Sequence, residues 1–157
     1  MKTLLITSVL LFLFSFNSFS QKQKVKVKND MVTLDGVEMF KMVSTNYPDA
    51  YTFYNLEDEK LAIFNANYYR DPQQITAGNP EGRVAYFDIT FLNDSLDKCE
   101  IRIVGFKKHL AELIINENFF LEGKLNDPAI KQFCAINGFK FSKQRENNSG
   151  TTIIINN

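Results

Sequence analysis

Apolar and polar residues alternate in the middle of the chain, on both sides of a polar turn. The alternating segments are residues 84–92 and 99–103, and the turn between them is rich in Asn, Asp and Ser. A period of two on both sides of such a turn predicts a half-buried antiparallel β-hairpin. The side chains predicted to share its buried face are Phe87, Ile89, Phe91, Ile101 and Ile103.

The period changes to that of a helix directly after this hairpin. Apolar residues recur there at a spacing that places them on one helical face, as shown by Phe106, Leu110, Leu113, Ile114 and Leu121. The pattern predicts a helix that begins at Phe106, covers the buried face of the hairpin and ends before Gly123. A second helix is predicted to begin with Asp127 as N-cap and Pro128 at its first position, and to end at Gly138.

Further strands are predicted before the central hairpin. Asp35-Gly36 suits a two-residue turn inside residues 31–43, because both residues tolerate positive φ. A hairpin is also predicted over residues 51–69, across an acidic turn, but its second strand has apolar residues on both faces and leaves the inward side open. Residues 139–155 are consistent with a last hairpin or with a frayed tail.

These elements predict an α+β domain. We expect an antiparallel β-meander of about six to eight strands with two C-terminal helices packed on one face. Residues 21–145 are predicted to form this single domain, and residues 146–157 a C-terminal tail or a final strand.

The first twenty residues are predicted to lie outside the domain. A basic start is followed by an apolar run over residues 4–16 and by small residues at Ser18 and Ser20. This pattern is typical of a secretory signal peptide, residues 1–20, cleaved before Gln21. The alternative is a retained anchor, but the run is shorter than the ~20 residues that span a bilayer. We therefore expect a secreted or periplasmic protein with no transmembrane segment after signal cleavage.

Charge restricts the class of partner. The chain has 18 Lys+Arg and 18 Asp+Glu, so removal of Lys2 with the signal leaves 17 basic side chains against 18 acidic ones. A near-neutral domain has no overall electrostatic attraction for nucleic acid, and no nucleic-acid partner is predicted. Alternate lysines at residues 22–28 suit either an edge strand with a solvated face or a basic strip for an anionic surface.

Cys99 and Cys134 are the only two cysteines. In an oxidising compartment an even pair is a disulfide candidate. Cys99 shares the inward parity of the central hairpin and Cys134 lies on the apolar face of the second predicted helix, so both also suit small buried hydrophobic positions. The sequence leaves the two interpretations open.

Residues with catalytic chemistry are scarce. His109 is the only histidine, and Glu112 lies three residues after it. An enzyme of unrecognised type that uses His109 with a nearby carboxylate is the alternative function, although the pattern supplies no nucleophile. No metal site and no cofactor is predicted, because no second histidine or phosphate-binding glycine loop accompanies His109.

Aromatic residues give the main indication of a binding surface. All six tyrosines lie within residues 47–86, around a long Gly- and Pro-containing connection, residues 70–83. Connections of this length are often functional or disordered. The candidate contact residues for a ligand or partner are Tyr68, Tyr69, Arg70, Arg83 and Tyr86. The competing interpretation is that the tyrosines pack over the sheet.

These features indicate a non-catalytic binding or accessory module of the cell envelope, whose partner is an envelope protein or a small ligand. The signal segment ending in Phe-Ser-Gln, followed by short hairpins and two terminal helices, resembles small exported proteins of unknown function from Bacteroidetes-type bacteria. The resemblance implies an extracytoplasmic location and transfers no catalytic residue.

Overall fold

The computed structural model describes residues 23–46, 49–103, 105 and 107–149. Seven consecutive strands form one sheet, namely β1 (Val25–Lys28), β2 (Met31–Leu34), β3 (Val37–Asn46), β4 (Asp49–Tyr54), β5 (Lys60–Arg70), β6 (Arg83–Phe91) and β7 (Lys98–Arg102). Helix α1 (Lys107–Asn116) follows, then the small hairpin β8 (Phe120–Leu121) and β9 (Lys124–Leu125), then α2 (Asp127–Asn137) and α3 (Lys140–Ser149).

Each strand of the sheet pairs antiparallel with the next one along the chain, in the order β1 to β7. The predicted α+β fold and its antiparallel meander are confirmed. Because the chain reverses at every connection, the β2–β3, β4–β5 and β6–β7 turns lie at one end of the sheet. The β3–β4 and β5–β6 connections lie at the other end.

One face of the sheet carries the core. Phe87 lies opposite Ile101 and Ile89 lies opposite Cys99 in the β6–β7 ladder, as the alternation predicts. Helices α1 and α2 cover this face with the buried side chains Leu110, Ala111, Ile114, Ile130 and Phe133. In β5, Ala62 and Phe64 belong to this core, which resolves the ambiguity over its inward face.

The first helix is shorter than its apolar stripe suggests. Phe106 lies outside the described residues, and α1 ends at Asn116. Asn118 and Glu122 then adopt positive φ values of 53° and 50°, conformations that interrupt a helix. Leu121, predicted to lie on the buried helical face, is exposed in the β8–β9 hairpin. The prediction that the helix extends to this residue is therefore wrong.

The structure has a helix where the sequence suggested a strand or a frayed tail. Residues 140–149 form α3, so the prediction of a strand over residues 139–145 is wrong, and residues 146–149 are the end of this helix. Two backbone amides in its first turn, those of Phe141 and Ser142, donate to Oε2 of the buried Glu100 at 2.8 and 3.0 Å. A carboxylate at a helix N-terminus is favourable for both hydrogen bonding and the helix dipole. The predicted strand over residues 151–155 lies outside the described residues.

Asn55 connects the β4–β5 turn to the β8–β9 hairpin. Its side chain is 5% exposed. Its Nδ2 donates to the Gly123 carbonyl at 3.2 Å and to Glu59 Oε2 at 3.1 Å, and its Oδ1 accepts from the amides of Glu57 and Glu59. The acidic turn is thus built around one buried amide side chain.

Replacing Asn55 by Ala is expected to lower the free energy of unfolding by about 2 kcal/mol, because buried backbone groups lose their partners. Urea unfolding of the wild type and the variant measures the difference. Asn67→Ala is the control, since the Asn67 side chain donates to the Asn65 carbonyl, a local contact within one strand. Equal midpoints for the wild type and Asn55→Ala would show that the hydrogen bonds of Asn55 do not stabilise the fold.

Candidate binding site

The five predicted contact residues divide between the two faces of the sheet. In the β5–β6 ladder Tyr68 lies opposite Ala85, Tyr69 opposite Val84 and Arg70 opposite Arg83. Neighbouring residues of a strand point to opposite faces. Tyr68, Arg70 and Arg83 therefore share the face that carries the core, whereas Tyr69 and Tyr86 lie on the other face. The predicted single cluster does not exist.

Tyr69 and Tyr86 hold α3 against the sheet. Tyr86 is 2% exposed and stacks on Phe141, with ring centroids 5.3 Å apart. The Tyr69 hydroxyl donates to Gln144 Oε1 at 3.0 Å. Burial raises the pKa of both tyrosines. The prediction that Tyr86 contacts a partner is wrong, because α3 covers its ring.

Of the five predicted contact residues, Tyr68 and Arg83 are in direct contact in the structure. The Arg83 guanidinium lies 4.3 Å from the centroid of the Tyr68 ring, a cation–π contact. Tyr68 remains 43% exposed. The neighbouring Arg70 pairs with Glu81 at 3.4 Å across the connection between β5 and β6. The two arginines and one tyrosine thus form an exposed group beyond the core.

The connection that follows this group has a defined shape. A 3-10 turn at Pro72–Gln74 begins with Asp71, whose side chain accepts from the Gln73 amide at 2.9 Å. Asn79 spans the base of the loop, accepting from the Arg83 amide and donating to the Gln74 and Arg83 carbonyls. The loop is therefore ordered by its own polar side chains, although it lies largely outside the core.

Gly82 allows the loop to close onto β5. Its φ is +60°, and a Cβ built at this residue would lie 2.3 Å from the Asp71 carbonyl oxygen. The Asp71 amide donates to the Gly82 carbonyl at 2.8 Å. Only glycine fits this close approach. Beyond it, Ile75 leaves a large apolar side chain exposed at the outer part of the loop.

An open cleft of 310 Å³ adjoins Tyr68 on the same face of the sheet. Its apolar floor includes Phe87 and Leu110, and its walls carry the hydroxyl-bearing side chains of Ser44, Thr45 and Tyr51. Lys107, at the start of α1, also lines it and forms a salt bridge with Asp30. The volume is at the lower limit of small-molecule pockets.

His109 is exposed on α1, with its ring beside Gly105. Glu112, the carboxylate predicted as its partner, pairs instead with Lys108 at 3.4 Å. The structure thus gives Glu112 a basic neighbour other than the histidine. The proposed proton-transfer pair gains no support from this arrangement.

The two cysteines meet where α2 crosses β7. Their Sγ atoms lie 3.0 Å apart, and both thiols are free. Cys99 is fully buried and Cys134 is half-buried. The hydrogen bond with Cys134, together with burial, raises the pKa of the Cys99 thiol. The same contact lowers the pKa of Cys134, because the Cys99 thiol can donate to a Cys134 thiolate.

Asp88 lies opposite Glu100 in the β6–β7 ladder, a pairing of like charges that sequence reasoning missed. Burial raises the pKa of Asp88, and the neighbouring Glu100 carboxylate raises it further. The folded state therefore holds the Asp88 proton more tightly than the unfolded state. The contribution of Asp88 to stability falls as pH rises from its unfolded pKa, about 3.9, through its raised folded pKa.

Asp88→Asn is accordingly expected to be more stable than the wild type at neutral pH, because the amide is never ionised. The advantage is expected to disappear below about pH 3, where the Asp88 carboxyl is protonated in both the folded and the unfolded protein. Thermal melts across this pH range check the prediction. Asp94→Asn, in the exposed β6–β7 turn, is the control for loss of one charge. A lower melting temperature for Asp88→Asn at neutral pH would contradict it.

The described ranges, residues 23–46, 49–103, 105 and 107–149, lack both a metal-binding group and a membrane-spanning helix. In those ranges no three His, Cys, Asp or Glu side chains are grouped to hold a metal ion. Within those same ranges, none of the helices has both the length and the apolar composition that a membrane-spanning helix needs. Comparison of the chain with protein-family models, with curated proteins and with solved structures finds no match.

Proposed function

We propose that this protein is a non-catalytic exported binding module of the cell envelope. Its contact surface comprises Tyr68, Arg70, Ile75 and Arg83, named here the arginine–tyrosine face. The observation that carries the proposal is the ordered β5–β6 loop. Side chains of Asp71 and Asn79 hold an exposed segment in one shape. Because the loop is held in one shape but contributes little to the core, its order suits a pre-organised recognition surface.

The composition of the arginine–tyrosine face favours a protein partner. Tyrosine and arginine are enriched among the residues that dominate binding energy at interfaces. The stacked Tyr68–Arg83 pair needs little rearrangement on binding. Ile75, whose side chain lies close to Gly82 in the same loop, adds exposed apolar area. The two guanidinium groups favour acidic groups on the partner.

The test is recovery of partners from an envelope extract by the immobilised protein and by the double variant Tyr68→Ser/Arg83→Ala. A matched control, Ile136→Ser/Lys131→Ala, removes one exposed apolar and one exposed basic side chain from α2, where Ile136 is 75% exposed. We expect the control to retain the partner and the double variant to bind it about 30-fold more weakly, as for a hot spot of about 2 kcal/mol. Equal recovery by both variants would refute the role of this face.

A second candidate function is association with an anionic surface of the envelope. Lys107 and Lys108 of α1 border the same open surface as Lys24, Lys26 and Lys28 of the β1 segment. This arrangement extends the lysine strip beyond one strand. Binding to anionic vesicles that persists at 0.5 M salt would oppose it, since exposed charges are screened over about 3–10 Å at such ionic strengths.

A further inference from the structure

A second concave surface lies at the other end of α1. It is a groove of 470 Å³ between the C-terminal part of α1, the β2–β3 hairpin, the β4–β5 turn and the β8–β9 hairpin. The β5–β6 loop lies at the opposite end of the sheet, so this groove is separate from the arginine–tyrosine face. Asn55 holds two of its walls together through the bond to the Gly123 carbonyl. We name it the acidic groove.

The floor of the acidic groove is apolar. Met39, Phe40, Ile114, Ile115 and Phe120 line it. The rings of Phe40 and Phe120 meet edge to face, with centroids 5.1 Å apart, which fixes the shape of the floor. Leu56 and Leu121 also line the groove and are exposed. The groove is therefore an apolar surface of ligand size that the described chain leaves open.

The charges of the groove have one sign. Glu38, Glu57 and Glu122 line it, and no Lys, Arg or His is among its described lining residues. All three are exposed. They are dispersed and do not form a group that could hold a metal ion in the described part of the chain. A ligand that complements both the apolar floor and the glutamates therefore combines an apolar body with a positive charge.

We propose that the acidic groove binds a cationic amphiphile, a small molecule with an aliphatic or aromatic body and an ammonium group. The apolar body lies on Phe120 and on the exposed Leu56 and Leu121, where its transfer from water is favourable. The ammonium group lies at the rim near the glutamates, where it remains partly hydrated. Anionic amphiphiles of the same length are rejected by the three carboxylates.

The test compares three amphiphiles with the same decyl chain, each below its micelle concentration: decyltrimethylammonium, decyl sulfate and the uncharged decyl maltoside. Calorimetry measures affinity, and amide chemical shifts locate the bound chain. We expect the ammonium compound to bind about tenfold or more tightly than the sulfate at low salt, with a smaller difference at high salt. The amide shifts are expected around residues 114–123.

Two double variants with the same change in charge complete the test. Glu38→Gln/Glu122→Gln removes two carboxylates of the groove, whereas Glu81→Gln/Asp94→Asn removes two exposed carboxylates outside it. The first is expected to lose the preference for the ammonium compound, and the second to keep it. The proposal is overturned by equal binding of all three amphiphiles, by loss of preference in both variants, or by shifts confined to other residues.

Discussion

Replacing Phe119 by Ala is expected to lower the free energy of unfolding by about 4 kcal/mol, as is typical for a fully buried phenylalanine. Phe119 connects two layers of the protein. Its ring centroid lies 5.1 Å from that of Phe91 in β6 and 4.8 Å from that of Phe133 in α2. Truncation leaves a cavity that neither the sheet nor the helix can close without moving.

Chemical unfolding of wild type and variant measures this loss. Phe139→Ala is the matched control, because the same side chain is removed from a site that is 44% exposed. The control is expected to lose about 1 kcal/mol or less. Similar losses for the two variants would show that Phe119 does not connect α2 to the sheet as the ring contacts indicate.

Phe119 also shows what the sequence could not predict. The period of two in β6 and β7 identifies Phe87, Ile89 and Phe91 as inward-facing, and the structure agrees. The helical stripe predicts a continuation to Leu121, but the chain leaves the helix after Asn116 and inserts Phe119 into the core instead. Periodicity predicts which face is buried. It does not predict where a helix is interrupted when left-handed turn residues such as Asn118 compete with it.

The outer face of the sheet gives a second example. Glu100 has the parity of a solvated residue, yet it is buried because α3 turns onto that face and donates two amides to it. α3 is largely polar, so its own sequence gives little sign of a buried side. A signal was present in β6, where Val84 and Tyr86 put apolar side chains at outward positions. Two apolar faces on one strand indicate that both are covered.

The candidate site was predictable only in part. The position of the exposed loop and the residues Tyr68 and Arg83 followed from composition, whereas the separation of Tyr69 and Tyr86 from them depends on strand register. The acidic groove was missed entirely. Its walls come from Gln23 and from four segments between Leu34 and Gly123, and no local pattern brings them together.

The sequence left open whether Cys99 and Cys134 form a disulfide bond or remain small buried groups, and the contact between their sulfur atoms makes a disulfide a testable prediction. The Sγ atoms lie 3.0 Å apart, against about 2.05 Å in a disulfide bond. Forming the bond requires the two sulfur atoms to approach by about 1 Å. We expect the half-buried Cys134 to react first as the thiolate, since its pKa is lowered, and the buried Cys99 to complete the bond.

Treatment of the reduced protein with oxidised glutathione is therefore expected to give an intramolecular disulfide. The two thiols lose two protons and two electrons, and one glutathione disulfide is reduced to two glutathione molecules. Mass spectrometry is expected to show a loss of about 2 Da that dithiothreitol reverses. The bond closes a loop between residues 35 positions apart, so it is expected to stabilise the fold by about 4 kcal/mol.

Cys99→Ala and Cys134→Ala are the controls for this reaction. Each single variant is expected to stop at a mixed disulfide with glutathione or to remain reduced, and neither is expected to gain the stability of the oxidised wild type. Alkylation under denaturing conditions counts the thiols that remain. Two alkylated cysteines in the oxidant-treated wild type would show that the contact between α2 and β7 holds the sulfur atoms as buried apolar groups and does not join them.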